Sequence, residues 1–197
     1  MVISERRKLL FIHIPKTGGS TVRQLLIQAV PDAKVCEKYH NDIHFAEAAL
    51  GPSLADYYVF TFVRNPWERL VSWYSMMNQT PYGLPERRQA MLNVPFGTVI
   101  RESIGRNPHP FFTKTQLDYL VGANGERLVE NIFRFEQFEN ECRRLIDLIG
   151  LGRPRIPHVN GTEHPHYSTY YDAETRQIVA ERFADDIEEF GYTFEAV

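Results

Sequence analysis

A chain of 197 residues with 43% hydrophobic content is long enough to bury one substantial core and short for two, so a single domain over residues 1–197 is expected. The formal net charge of −3 excludes a global basic field that would recruit nucleic acid or an anionic membrane, and any anion site must be local. No stretch approaches the roughly 20 apolar residues of a membrane-spanning helix. The only cysteines are Cys36 and Cys142, and the apolar stretch near the N-terminus is too short for a secretory signal. These features predict a reduced, cytoplasmic location.

The first predicted unit is a strand, a loop and a helix. KLLFIHI, residues 8–14, is a nearly continuous apolar run closed by Pro15, which is typical of a buried strand. The apolar residues of VRQLLIQAV, residues 22–30, recur on one face and predict a helix. Ser20 or Thr21 is expected to cap that helix.

The same order recurs after residue 56. YYVFTFV, residues 57–63, is aromatic and β-branched and predicts a second buried strand. Asn65 as N-cap, Pro66 at the first helical position and Glu68 three residues after the cap form a helix-start signal. A second strand-loop-helix unit is therefore predicted.

A third unit begins with NIFRFE, residues 131–136, and its helix is expected to end at Gly150. The last predicted helix covers residues 172–191, with a break near Asp185. Strands that alternate with helices predict an α/β fold in which a central parallel sheet is covered on both faces. The segment 78–110, with scattered proline, glycine and arginine, is interpreted as an insertion or lid over the mouth of the sheet, where ligands bind in such folds.

The loop after the first strand, HIPKTGGST, predicts a phosphate site. Gly18 and Gly19 leave the backbone free of side chains, so that consecutive N–H groups can point into a concavity at the positive end of the next helix. Lys16 adds a full charge. Hydroxyl donors are supplied by Thr17, Ser20 and Thr21. The alternative interpretation is a tight turn with an exposed lysine.

The loop departs from the nucleoside triphosphatase pattern, in which lysine follows the glycines and a metal-binding carboxylate ends a neighbouring strand. Here Lys16 precedes the glycines, and the second strand ends at Arg64. A magnesium-bridged triphosphate is therefore disfavoured, and no metal is expected. Taken alone, Arg64 could be a structural ion-pair partner. Together with the first loop, it favours a second, metal-free phosphate group.

Both motifs resemble those of the sulfotransferases that use 3′-phosphoadenosine 5′-phosphosulfate (PAPS). HIPKTGGST, residues 13–21, is similar to their 5′-phosphosulfate loop, and FVRNPWERLVSWY, residues 62–74, is similar to their 3′-phosphate motif. The residues in both motifs are similar to those of sulfotransferase family 2, which includes carbohydrate sulfotransferases such as heparan sulfate 2-O-sulfotransferase and small bacterial relatives. Residues 158–194 also resemble the ending of that family.

The resemblance implies a PAPS-dependent sulfotransferase with a three-layer, P-loop-like fold, and it assigns residues position by position. The 5′-phosphosulfate would be held by Lys16, Thr17, Gly18, Gly19, Ser20 and Thr21. The 3′-phosphate would be held by Arg64 and by Ser72, eight residues further along, which is the spacing of the family. The residues that would close over the cofactor are Asn160, Thr162 and Tyr167.

Sulfuryl transfer to a hydroxyl needs a base with a pKa near the working pH, which favours histidine. Lys16 would stabilise the charge that develops on the leaving oxygen. His13 lies within the first strand and is expected in the core. Relatives carry a histidine ahead of a helix between the two motifs, and IHFAEAAL matches that pattern at His44 better than at His40. His44 is therefore the predicted base.

Other roles for the histidines stay open. Cys36, His40 and His44 lie at four-residue spacing and could instead hold a metal ion. Three further histidines in a polar C-terminal loop would face solvent or contact the acceptor: His158, His164 and His166.

Two other functional classes compete with a sulfotransferase. An atypical small-molecule kinase would turn over ATP with magnesium, and an inactive nucleotide-binding module would bind 3′,5′-adenosine bisphosphate without transfer. For a sulfotransferase, the expected acceptor is a hydroxyl on a carbohydrate or a small natural product, with no nucleic-acid or membrane partner. Fold and cofactor loops do not encode which acceptor is used.

Overall fold

The computed structural model describes residues 1–36, 40–79, 92–106, 108, 110–157 and 164–196. The chain divides into two compact units. The sheet unit is formed by Met1–Arg64 and Gln116–Asn160, and the helical unit is formed by Asn65–Thr115 and Gly161–Val197. The expectation of one domain over residues 1–197 stays a prediction.

The described part of the sheet unit contains a five-stranded sheet in the order β3-β1-β2-β4-β5. The strands are β1 Val2–Ser4, β2 Leu9–Ile12, β3 Lys34–Val35, β4 Tyr58–Val63 and β5 Asn131–Arg134. β2, β4 and β5 pair in parallel. The three predicted strands and the mixed α/β class are thus confirmed, whereas the P-loop-like, three-layer arrangement stays a prediction.

The predicted central parallel sheet is confirmed for β2, β4 and β5, and the other edge of the sheet is antiparallel. β1 pairs antiparallel with β2, and β3 pairs antiparallel with β1. The missed strand β1 has only three residues and is followed by charged ones, so it leaves little apolar pattern to recognise. Lys8, which was predicted to open the strand, lies in the turn before β2 with φ of +52°.

Among the described residues, the helices are α1 Gly19–Ala29, α2 Ile43–Leu50, α3 Pro66–Gln79, α4 Phe96–Ile100, α5 Pro110–Thr113, α6 Phe138–Leu148, α7 Ala173–Arg182 and α8 Ala184–Phe190. Short 3-10 turns cover Gly51–Asp56, Leu117–Tyr119, Phe135–Gln137 and Tyr167–Tyr170, and Arg101–Arg106 forms a π-helical turn.

One face of the sheet is packed by aromatic side chains. Because paired residues of parallel strands point the same way, Phe11, Phe60, Phe62 and Phe133 share this face. They pack with Val22 and Leu26 of α1 and with Cys142 and Leu145 of α6. Alternate residues of the strands, Leu10, Ile12 and Val63, are buried as well. Strands buried on both faces account for the continuous apolar runs in the sequence.

The two predicted helix starts had different outcomes. At α3, the Oδ1 atom of Asn65 accepts a hydrogen bond from the Trp67 N–H at 3.1 Å, which confirms the N-cap. At α1, the expected cap by Ser20 or Thr21 is wrong, because the helix begins at Gly19 with Gly18 as its N-cap. The hydroxyl-bearing residues therefore lie inside the first turn.

The predicted C-terminal helix is two helices, because the backbone of Phe183 leaves the helical conformation between α7 and α8. This break lies two residues before the expected one. Of the predicted insertion 78–110, residues 80–91, 107 and 109 lie outside the described residues. Phe96, Val99 and Ile100 of α4 are buried in the core of the helical unit. A lid over the acceptor site stays a prediction.

No helix among the described residues combines the length and the apolar character needed to cross a bilayer.

Candidate active site

The loop between β2 and α1 has a tightly turned backbone. Lys16 and Gly18 both adopt left-handed conformations, with φ of +69° and +79°. The Gly18 carbonyl accepts a hydrogen bond from the Thr21 N–H at 3.0 Å. The first N–H groups of a helix have no partner within the helix, and here they belong to the first turn of α1. The use of these backbone donors for a phosphate stays a prediction.

Each of the two glycines is required by a ring that packs on the loop. A Cβ atom on Gly18 would overlap the ring of Phe138, and a Cβ atom on Gly19 would overlap the ring of His13. Gly18 also needs its positive φ, which L-residues rarely adopt. The glycine pair thus allows two aromatic rings to support the loop backbone directly.

The hydroxyl-bearing residues of the loop differ in what they can offer. The Thr17 side chain is fully buried, and its hydroxyl donates to the Ile14 carbonyl at 2.9 Å. Its backbone N–H is therefore the donor that it can offer to a ligand. Thr21 is also buried, whereas Ser20 is partly exposed.

Lys16 is a partly buried cation. Burial and, to a smaller extent, the charge of Arg64 lower the pKa of its ammonium group to about 8. Both effects disfavour the charged form of Lys16. An anion bound beside it would favour the charged form and raise the pKa again. The alternative of a fully solvated lysine in a simple turn does not fit this environment.

Arg64 lies next to Lys16, although the two are 48 residues apart in sequence. Its Nη1 atom donates to the Lys16 carbonyl at 3.2 Å. Its guanidinium also lies 4.0 Å from the centroid of the Phe135 ring, and the residue is only 6% exposed. The structure therefore joins the two positive residues of the predicted site within the sheet unit.

His40 contacts His13, the residue whose ring packs on Gly19 of the loop. Its Nδ1 atom lies 3.1 Å from the His13 carbonyl, and the two rings are 4.5 Å apart between centroids. Because a carbonyl only accepts, this contact is a hydrogen bond when Nδ1 carries the proton. Burial and the nearby His40 lower the pKa of His13 to about 2, so His13 stays neutral in the core, where the sequence predicted it.

His44 is exposed, as His40 is, but its contacts differ. It lies in the first turn of α2, its side chain is 49% exposed, and its Nδ1 atom is 3.4 Å from Glu47 Oε2. The Glu47 carboxylate also accepts from the Ala123 N–H at 2.9 Å. The role of His44 as the base stays a prediction.

The remaining predicted residues lie elsewhere in the chain. Ser72 belongs to α3 of the helical unit and is buried, and its partnership with Arg64 stays a prediction. Tyr167 is buried in the same unit, where its hydroxyl accepts from the Glu195 N–H at 2.7 Å. Three named residues lie outside the described residues: His158, Asn160 and Thr162. Within the described ranges, no group of three or more histidine, cysteine or carboxylate side chains could hold a metal ion.

Sequence reasoning missed the residues that support the site. Phe135 and Phe138 follow β5, a neighbour of β4, and their place after a parallel strand is a signal that could have found them. Gln116 forms two hydrogen bonds with the backbone of Arg64 and leaves no local signal.

Comparison with known families identifies the family of the chain. A family model described as the sulfotransferase family, sulfotransferase family 2, matches residues 1–111. The chain belongs to the sulfotransferase family. The matched part of this sulfotransferase contains the loop, Arg64 and both candidate histidines. A search of curated proteins found no match.

The contact between His13 and Gly19 gives a prediction for this sulfotransferase. Gly19→Ala should lower the free energy of unfolding by about 1 to 3 kcal/mol, because the new methyl group overlaps the His13 ring. Urea denaturation would measure the loss. The double variant with His13→Ala should recover part of it.

Gly105→Ala is the matched control, because its added Cβ would lie at an ordinary 3.7 Å from Ile178 Cδ1. If Gly19→Ala lowers the free energy of unfolding equally in the wild-type and His13→Ala backgrounds, the packing described for the loop is contradicted.

Proposed function

We propose that this sulfotransferase moves the sulfuryl group of PAPS to an acceptor hydroxyl, on a carbohydrate or a small natural product. The observation that carries the proposal is the contact between Arg64 and Lys16, which joins two cations at the ends of two parallel strands. Parallel sheets bind ligands at this edge. PAPS carries anionic groups at both its 5′ and 3′ positions, which suits a site with two cations.

The residues of the sheet unit fit PAPS. The 5′-phosphosulfate would be held by Lys16, by the backbone of Thr17, Gly18 and Gly19, and by Ser20 and Thr21 at the start of α1. Arg64 would hold the 3′-phosphate. PAPS supplies the sulfuryl group, and its bisphosphate product, 3′,5′-adenosine bisphosphate, is the leaving group.

Lys16 is suited to the charge change of the reaction. As the bridging oxygen leaves, negative charge grows beside the 5′-phosphate, and a nearby ammonium stabilises it. Partial burial strengthens this interaction, since less water screens it. No metal ion is needed for this role.

The kinase and the inactive module are the competing functions. A kinase of the nucleoside triphosphatase type would place a carboxylate near the end of a strand beside the loop. In this structure, the residue directly after β4 is Arg64, and its guanidinium reaches the loop. An inactive module shares the binding site, so only turnover separates it from the enzyme.

Ligand binding tests the proposed function. In a thermal-shift and calorimetric comparison, 3′,5′-adenosine bisphosphate should stabilise the protein in the presence of a metal chelator, because its site is built from cations and backbone donors. Arg64→Ala should weaken its binding by at least about tenfold, since a charged hydrogen bond contributes about 1.5 to 3 kcal/mol. Transfer of radiolabelled sulfuryl from PAPS to a panel of sugars and phenols then tests activity.

Arg134→Ala is the matched control, because Arg134 ends the adjacent strand β5 but is exposed. Preference for ATP with magnesium would favour the kinase. Tight bisphosphate binding without transfer to any acceptor would favour the inactive module.

The lowered pKa of Lys16 predicts a pH dependence of binding. With the pKa near 8, the ammonium loses its proton as the pH rises, and the anion loses its partner. Bisphosphate affinity should therefore be constant below the pKa and fall by up to about tenfold per pH unit above it. Isothermal titration calorimetry across this range measures the change. Lys16→Arg, which stays charged, should show a flat profile, and a wild-type profile equally flat would contradict the proposed role.

The base is the last element of the proposal, and the contacts favour His40 over the sequence-based candidate His44. His40 contacts His13, whose ring packs on Gly19 of the loop. His44 instead contacts Glu47. Removing the true base should lower kcat by about a hundredfold to ten-thousandfold.

His40→Ala and His44→Ala form a matched pair for this test. We expect His40→Ala to lose turnover while its bisphosphate affinity stays within about twofold of wild type, because a base is needed for transfer and not for binding. Near-normal turnover in His40→Ala, with a large loss in His44→Ala, would assign the base to His44.

A further inference from the structure

The side chain of Gln116 holds the backbone of Arg64 from both sides. The Arg64 N–H donates to Gln116 Oε1 at 2.8 Å, and Gln116 Nε2 donates to the Arg64 carbonyl at 2.8 Å. Gln116 is fully buried. One side-chain amide therefore serves the donor and the acceptor of a single residue in the candidate active site.

Arg64 is the position where such a partner is needed. The parallel pairing of β4 with β2 stops at Thr61, and its pairing with β5 stops at Val63. Arg64 is thus the first residue beyond the ladder, and its buried N–H and carbonyl groups still require partners. The amide of Gln116 presents one acceptor and one donor, as a neighbouring strand would.

Gln116 is itself held in place. It directly precedes the 3-10 turn Leu117–Tyr119, and its carbonyl accepts from the Tyr119 N–H at 3.1 Å. Leu120, at the end of this turn, is fully buried. The amide is therefore carried by a segment that is anchored in the core and that lies 52 residues after Arg64 in sequence.

We propose that Gln116 is a positioning residue that sets the direction of the Arg64 guanidinium, and so determines the preference of the site for a nucleotide with a 3′-phosphate. The guanidinium reaches both the Lys16 carbonyl and the Phe135 ring, and both contacts depend on where the Arg64 backbone leaves β4. This inference rests on the proposed function, in which Arg64 holds the 3′-phosphate.

The test is a ratio of two affinities measured by calorimetry: that for 3′,5′-adenosine bisphosphate and that for adenosine 5′-phosphate. The two ligands differ only in the 3′-phosphate, so their ratio reports Arg64 and is insensitive to a general loss of stability. Gln116→Met keeps the shape of the side chain and removes both hydrogen bonds. We expect it to lower the preference for the bisphosphate by about tenfold.

Asn131→Leu is the matched control. The Nδ2 atom of Asn131 donates to the Val59 carbonyl at 2.9 Å, so this variant also removes an amide bond to the backbone of β4, but near the start of the strand. It should lower stability and leave the preference unchanged. In the Arg64→Ala background, Gln116→Met should cause no further loss of preference, because Gln116 acts through Arg64.

If Gln116→Met keeps the wild-type preference for the bisphosphate, the positioning role is overturned and the proposed function stands. Equal wild-type affinities for the two ligands would instead overturn the role of Arg64 at a 3′-phosphate, and the inference with it. If Gln116→Met does not fold, Gln116→Asn, which keeps the amide but shortens its reach, gives the same ratio test.

Discussion

The parallel pairing of β2 with β4 is the constraint on which the candidate active site depends. Parallel strands end at the same edge of a sheet, so the residues that follow them meet there even when the chain between them is long. Here the pairing brings Lys16 and Arg64 together across 48 residues of sequence, and the Arg64 guanidinium donates to the Lys16 carbonyl. The site follows from the register of these strands.

Lys16 and Arg64 are two positive side chains held close together, and their repulsion makes the charged form of Lys16 less favourable. Burial and the charge of Arg64 lower the pKa of Lys16 to about 8, which means that the protein alone holds this charge unfavourably. An anionic ligand would make the charged form of Lys16 favourable again. The anionic groups of a ligand would therefore supply much of its binding energy. In the proposed reaction the same arrangement would serve transfer, because the charge of the leaving group would grow beside Lys16.

The site is made largely of backbone, and buried side chains hold that backbone in place. The rings of Phe138 and His13 pack where Gly18 and Gly19 lack a Cβ atom. The amide of Gln116 serves the backbone of Arg64 beyond the end of the sheet ladder. In the proposed reaction, such support would keep donors aligned before a ligand arrives, so that little reorganisation would be needed when charge develops.

The sequence by itself determined the elements whose signals are local. The apolar run of β4, the Asn65 cap of α3 and the glycine pair of the loop each depend on residues within a few positions, and each was predicted. The tertiary structure decided what depends on distant residues. The antiparallel strand β1, the contact of His40 with His13 and the amide of Gln116 leave no local pattern, because each is defined by a partner that only folding brings near.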